Sequence, residues 1–188
     1  MPSRKLPNII ITGTPGVGKT THSQLLADLT PLEHFSINDI VKNKCCHTGF
    51  DEKFKSWIVD EDKLLDEIEG EVKQGGKIID WHACDLFPES WIDLVVVLRT
   101  DNTVLFDRLT ERNYDEEKVT ENIDAEIMQV ILEEARESYD AEIVIELRSD
   151  SAEDVDSNVE RIKAWYEAWT KNNGGNETEA GDDESDQE

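Results

Sequence analysis

Residues 13–20 read Gly-Thr-Pro-Gly-Val-Gly-Lys-Thr, which satisfies G-x-x-x-x-G-K-[ST] at every fixed position. Before it lies Asn8-Ile9-Ile10-Ile11-Thr12, a β-branched run of the kind buried on both faces of a sheet. After it, Lys19 to Leu29 carries Leu25, Leu26 and Leu29 in a pattern that predicts a helix. Strand, glycine-rich turn and helix in this order make a cradle for phosphate. Glycines let the backbone curl so that successive N–H groups face the phosphate oxygens, and the helix N-terminus adds partial positive charge. In that geometry the backbone of Gly13, Gly16, Val17 and Gly18 wraps the phosphates. Lys19 reaches the β- and γ-phosphates, the Thr20 hydroxyl is placed for Mg²⁺, and Thr21 donates to the α-phosphate.

The rest of the chain repeats the alternation of strand and helix. Short strands are expected at His34–Ile37, Lys77–Asp80, Asp93–Leu98 and Ala141–Leu147, with Leu94-Val95-Val96-Val97-Leu98 the clearest central strand. Helices are expected after Asp60-Glu61-Asp62, over Asn102 to about Glu111, through Ile123, Ile127, Val130, Ile131 and Ala135, and from Val155 to Trp169. Such alternation implies right-handed crossovers, hence an α/β fold with a parallel five-stranded sheet flanked by helices. Ligands then bind at the carboxyl ends of the strands.

Asp80 ends the Lys77–Asp80 strand, where an acid either holds a magnesium water or caps the next turn. His82 lies two residues on and shares its face if the strand continues; it positions a water or phosphate, or is structural. Arg108 and Arg112 share one face of the Asn102–Glu111 helix as it runs into a polar loop at Asn113, Tyr114 and Asp115. Two stacked arginines there suit a clamp on a transferring phosphoryl group, against the alternative of surface ion pairs with Glu111 or Asp107. Guanine recognition is excluded: Asn43-Lys44 is followed by Cys45-Cys46, without the Asp that N-K-x-D requires.

Charge narrows the partners. Nineteen Lys and Arg stand against 44 Asp and Glu in 188 residues, for a formal net charge of −25. Such a field repels a polyanion and attracts a basic protein, so strong direct nucleic-acid binding is not expected. The segment 170–188 carries −6 and reads as a disordered acidic tail; residues 1–169, expected as one domain, still carry −19. Cys45, Cys46 and Cys84 lack metal spacing and point to free thiols without zinc. No apolar run approaches a membrane span, and Met1 to Pro7 leads directly into a strand; a soluble intracellular protein is the expectation.

With these residues placed, the chain resembles the adenylate kinase isoenzyme 6 family, small nuclear P-loop ATPases that also serve in ribosome assembly. The resemblance spans Pro7 to Trp169. It includes Gly13 to Thr21, Asp39, Val59-Asp60-Glu61-Asp62, Gly75-Gly76, Asp80-Trp81-His82, Phe87-Pro88-Glu89, Val97-Leu98-Arg99-Thr100, Arg108 to Tyr114, Asn122-Ile123 and Glu126-Ile127. It implies an adenylate-kinase-like core with a nucleoside-monophosphate-binding segment near Ser36–Val59 and a short lid near Glu111–Glu121. It implies ATP contacts from Gly16, Gly18, Lys19, Thr20, Thr21 and Arg112, a modified Walker B element at Asp80 and His82, and AMP contacts from Asp39 and Lys42.

The implied activity is ATP plus AMP giving two ADP, with ATPase activity and Mg²⁺. The implied setting is nucleus and cytoplasm. There a monomer would associate transiently with pre-ribosomal particles through a basic small-subunit ribosomal protein, during late pre-ribosomal RNA maturation. Two departures from ordinary adenylate kinases predict slow transfer. Lys42 stands where they carry an Arg, and Asp80-Trp81-His82-Ala83-Cys84 replaces D-G-x-P-R; each removes a forked donor. Asn38 also stands where the family usually has Gly. The alternative is a metabolic small-molecule kinase with no ribosomal role.

Overall fold

The computed structural model describes residues 4–174. The chain runs β1 (Ile9–Thr12), α1 (Lys19–Leu29), β2 (Glu33–Ser36), α2 (Ile37–Asn43), β3 (His47–Asp51), β4 (Ser56–Val59), α3 (Glu61–Gln74) and β5 (Lys77–Asp80). It continues β6 (Leu94–Arg99), α4 (Asn102–Glu111), α5 (Glu116–Ile127), α6 (Val130–Ser138), β7 (Val144–Arg148) and α7 (Ala152–Asn173). Five strands form one parallel sheet in the order β2-β5-β1-β6-β7. This bears out the expected α/β sheet. β1 is central, and the order departs from it in both directions, so the loop after β1 opens at the switch point where such sheets bind ligands.

Both faces of the sheet are covered, which is why its strands read as continuous apolar runs. Ile10, Ile79, Val95 and Val97 pack with α2, α3 and α6 on one face. Ile9, Ile11, Ile78, Val96 and Leu98 pack with α1, α4, α5 and α7 on the other. Side-chain caps hold the helix starts: the Asp60 carboxylate accepts from the Lys63 N–H, and Ser151 with Asp154 forms a capping box on α7.

Four local expectations change. The helix expected through Ile123 and Ala135 is two helices, divided at Gln129 with φ 56°. Val119 of α5 packs on one sheet face, while Leu132 and Ala135 of α6 pack on the other, so a straight helix cannot serve both. The expected strand at Ala141–Leu147 begins three residues later, because Ala141–Ile143 is a 3₁₀ turn. Between α2 and α3, β3 and β4 form an antiparallel hairpin that the polar sequence did not suggest. Lastly, α1 turns Leu25 and Leu29 outward and buries His22, Ser23 and Leu26.

The segment 36–59 thus comprises α2 and the hairpin, and 111–121 comprises the turn after α4 and the first half of α5. α7 extends to Asn173; of the acidic segment 170–188, residues 175–188 lie outside the described residues. Among the described residues no helix is long and apolar enough to cross a membrane.

Candidate active site

The loop after β1 owes its shape to glycine. Gly13 has φ 148°, and a Cβ there would lie 2.8 Å from the Leu98 carbonyl oxygen, so the loop closes directly against the end of β6. Gly18, at φ 98°, is the N-cap of α1 and supplies no side-chain cap. The first N–H groups of α1 are therefore left for an anion.

Lys19 lies across this loop. Its Nζ donates to the carbonyl oxygens of Gly13 at 2.9 Å and Thr14 at 3.2 Å. Burial lowers its pKa to about 8, with Asp80 and Glu126 pulling upward and Arg112 pushing down. Phosphate oxygens placed in the loop would favour the charged form.

Thr20 and Asp80 meet, as the Thr20 hydroxyl donates to Asp80 Oδ2 at 2.8 Å. Asp80 is buried at the end of β5. A hydroxyl and a carboxylate, both hard oxygen donors beside a phosphate cradle, fit Mg²⁺, which keeps several waters and takes few protein ligands. The same Oδ2 lies 2.9 Å from His34 Nε2. β2 pairs with β5 so that Ser36 faces Asp80, which brings His34, two residues back on the same side, within reach. Sequence reading passed over His34; only strand adjacency joins it to the site.

β5 stops at Asp80, so His82 is not placed by strand alternation; it follows in the loop, its ring edge-on to Trp81 at 5.1 Å. Desolvation by surrounding protein, then the Lys19 charge, lowers its pKa to about 4, although part of its surface is exposed. It is neutral at pH 7 and able to accept or donate a hydrogen bond.

The arginines separate. Both line a cleft of about 460 Å³ with Gly16, Gly18, Thr21 and Ser149, a size that suits a nucleoside. Arg108 Nη1 donates to the carbonyl oxygens of Ser149 at 2.9 Å and Gly16 at 3.3 Å, and so braces the loop. Arg112 caps α4, is exposed, and makes no side-chain hydrogen bond or ion pair among the described residues.

Ser149, also missed from sequence, donates its hydroxyl to the Val17 carbonyl at 2.6 Å and joins the end of β7 to the phosphate loop. His22 braces the loop from below: Nδ1 donates to the Gly18 carbonyl at 2.7 Å, and Nε2 accepts from Asn158 at 3.2 Å. Asp39 and Lys42 stand exposed on α2 and make no side-chain contact with this cluster.

A family model described as an AAA domain matches residues 9–129. A fission yeast (Schizosaccharomyces pombe) protein named adenylate kinase isoenzyme 6 homolog is 57% identical over 90% of this chain and 97% of its own. The chain belongs to the adenylate kinase isoenzyme 6 family. A Dictyostelium discoideum protein of the same name is 49% identical over 90% of this chain and 97% of its own. In fold, the chain is similar to shikimate kinase from Bacteroides thetaiotaomicron, with TM-score 0.60 and 15% identity over 86% of this chain and 99% of that one. Family and fold together make this a P-loop kinase, whose family uses ATP with a divalent metal.

Proposed function

We propose that this protein transfers the γ-phosphoryl group of ATP to AMP, giving two ADP, and hydrolyses ATP slowly when water takes the place of AMP. The observation that carries this reading is the convergence of Lys19, Thr20 and Asp80 at the mouth of the phosphate loop. Curated relatives named as adenylate kinases support the choice of acceptor. Thr20 and Asp80 would hold Mg²⁺, which would supply charge neutralisation to the phosphates.

The chain's own groups do the rest. The backbone of Gly13 to Thr21 wraps the phosphates, Lys19 leaves its carbonyl partners for phosphate oxygens, and Arg112 closes on the transferring group from the cleft wall. His82, neutral, orients the attacking oxygen. Asp39 and Lys42 hold the AMP side when the hairpin segment closes. Positioning and electrostatics account for the catalysis, with no covalent step required of the protein. In a coupled assay, Lys19→Ala is expected to lower both ADP formation and ATP hydrolysis by about 100-fold or more. Unchanged rates would overturn the site assignment.

The cellular partner in this reading is a basic protein of the small ribosomal subunit, met in nucleus and cytoplasm during late subunit maturation. The −19 on residues 1–169 supports it by complementarity. Capture of small-subunit ribosomal proteins on the immobilised chain is expected to weaken steeply between about 0.1 and 0.5 M salt and to change with ATP. Capture insensitive to both would sink the partner assignment.

A further inference from the structure

Glu126 has an environment that the proposed mechanism does not use. It is a carboxylate only 3% exposed at the end of α5, and its two oxygens bond two different parts of the site. Oε2 accepts from the Thr14 hydroxyl at 2.6 Å, inside the phosphate loop. Oε1 accepts from Arg99 Nε at 2.6 Å and from the Thr100 N–H at 3.1 Å, both at the end of β6. Its carbonyl accepts from Arg99 Nη2 at 2.9 Å. A buried carboxylate without partners costs several kcal/mol, whereas this one is fully bonded and held in one orientation.

Thr14 is a telling target. Its carbonyl accepts from the Val17 N–H at 3.3 Å and from Lys19 Nζ at 3.2 Å, so its placement sets both the curl of the loop and the resting point of the lysine. The opposite end of α5 is fastened too. Glu117 pairs with Lys53 at 2.8 Å, Asp115 with Lys55 at 3.8 Å, and Lys118 Nζ donates to the Phe54 carbonyl at 2.7 Å. Lys53, Phe54 and Lys55 lie in the turn of the β3–β4 hairpin. One helix of 12 residues, about 18 Å long, therefore spans from the phosphate loop to the hairpin of the acceptor-side segment.

We propose that Glu126 and Thr14 are positioning residues: the Arg99–Glu126–Thr14 chain sets the phosphate loop, and α5 carries its state to the hairpin, so that ATP binding steadies the acceptor side. The anchoring at the two ends differs in kind. The loop end is buried and charge-paired, and it holds its geometry. The hairpin end combines two exposed lysine pairs, which form and break readily, with the Lys118–Phe54 carbonyl bond. The helix is thus pivoted at the ATP and loosely latched at the acceptor. The proposal rests on the kinase reading for its catalytic consequence only.

Thr14→Val tests it, since valine keeps the shape while removing the hydroxyl, and Glu126 retains Arg99 and Thr100. Thr14→Ser restores the hydroxyl and is the rescue. Three readouts are taken: steady-state kcat and KM for ATP, ATP affinity by calorimetry, and hydrogen exchange of residues 47–59 with and without Mg-ATP. Expected for Thr14→Val is a fall in kcat of about tenfold with KM for ATP changed less than about threefold. Loss of the ATP-dependent slowing of exchange in the hairpin is expected with it, both effects being recovered in Thr14→Ser.

Wild-type kcat in Thr14→Val, or equal losses in Thr14→Ser, would overturn the positioning role. Should Thr14→Val melt early, the wild-type chain decides alone, because hairpin exchange indifferent to ATP would overturn the coupling. Calorimetry and exchange need no turnover. A chain that binds ATP and slows hairpin exchange but makes no ADP from AMP would overturn the kinase reading and support the coupling.

Discussion

Arg108 and Arg112 share a helix face and differ in what surrounds them. Arg108 is held by two loop carbonyls, so its removal leaves acceptors at Gly16 and Ser149 short of a donor. Arg108→Ala is expected to cost about 1–3 kcal/mol of stability, read by urea unfolding, before any effect on turnover is counted. Arg112 has no partner to lose, and Arg112→Ala is expected to unfold at the wild-type midpoint while kcat for ADP formation falls about 100-fold. The reverse pattern, with Arg112 stabilising and Arg108 neutral, would exchange their roles. Lys19, Thr20 and Asp80 were legible because their types and spacing are dictated by phosphate and metal chemistry. His34 and Ser149 were not, and Glu126 stood out only within the family resemblance and without a role, since a histidine in a strand or a serine in a polar turn acquires meaning only from what lies beside it.

At the scale of elements, apolar runs located the sheet well because every central strand is covered on both faces. They located helix ends less well. Gln129 shows why: an apolar pattern at spacings of three and four continues across residues 123–135, yet the chain there passes from one face of the sheet to the other. Placing a non-glycine residue at φ 56° costs about 1 kcal/mol, which the packing of two separate helices outweighs. Gln129→Gly is therefore expected to stabilise the protein by up to about 1 kcal/mol, and the β-branched Gln129→Val to destabilise it, in chemical unfolding. If both substitutions are neutral, the left-handed turn is not strained. The β3–β4 hairpin was illegible for a related reason. Phe50, Trp57 and Ile58 are all exposed, with Trp57 stacked on His47 and edge-on to Phe50, so the large apolar side chains of these strands pack outside the core and leave no apolar face that marks them.

For the whole molecule, the excess of acid sets the terms on which anything approaches. With −19 on residues 1–169, the few cations near the cleft are conspicuous: burial first, and the Arg112 charge after it, lower the lysine's pKa, and phosphate oxygens in the loop would favour its charged form. The same excess gives the partner assignment its salt dependence, because exposed charges are screened over about 10 Å at 0.1 M salt. The lysine pairs that latch the hairpin to α5 belong to the same regime and weaken together with it. Charge pairing is therefore buried at Glu126 beside the phosphate loop, and exposed and salt-sensitive at the lysine pairs between α5 and the hairpin turn.

Sequence by itself determined the phosphate loop, the parallel α/β sheet, the acid at the end of β5 and the sign of the surface. Each of these follows from local chemistry or from periodicity, which a linear chain displays. Tertiary structure alone decided that His34 meets Asp80, that Arg108 braces while Arg112 stays free, and that Glu126 bonds Thr14 of the phosphate loop while Lys118 of the same helix reaches Phe54 in the hairpin turn. Those contacts close between residues 41 to 112 positions apart, through strand order and helix packing, and no spacing along the chain encodes them.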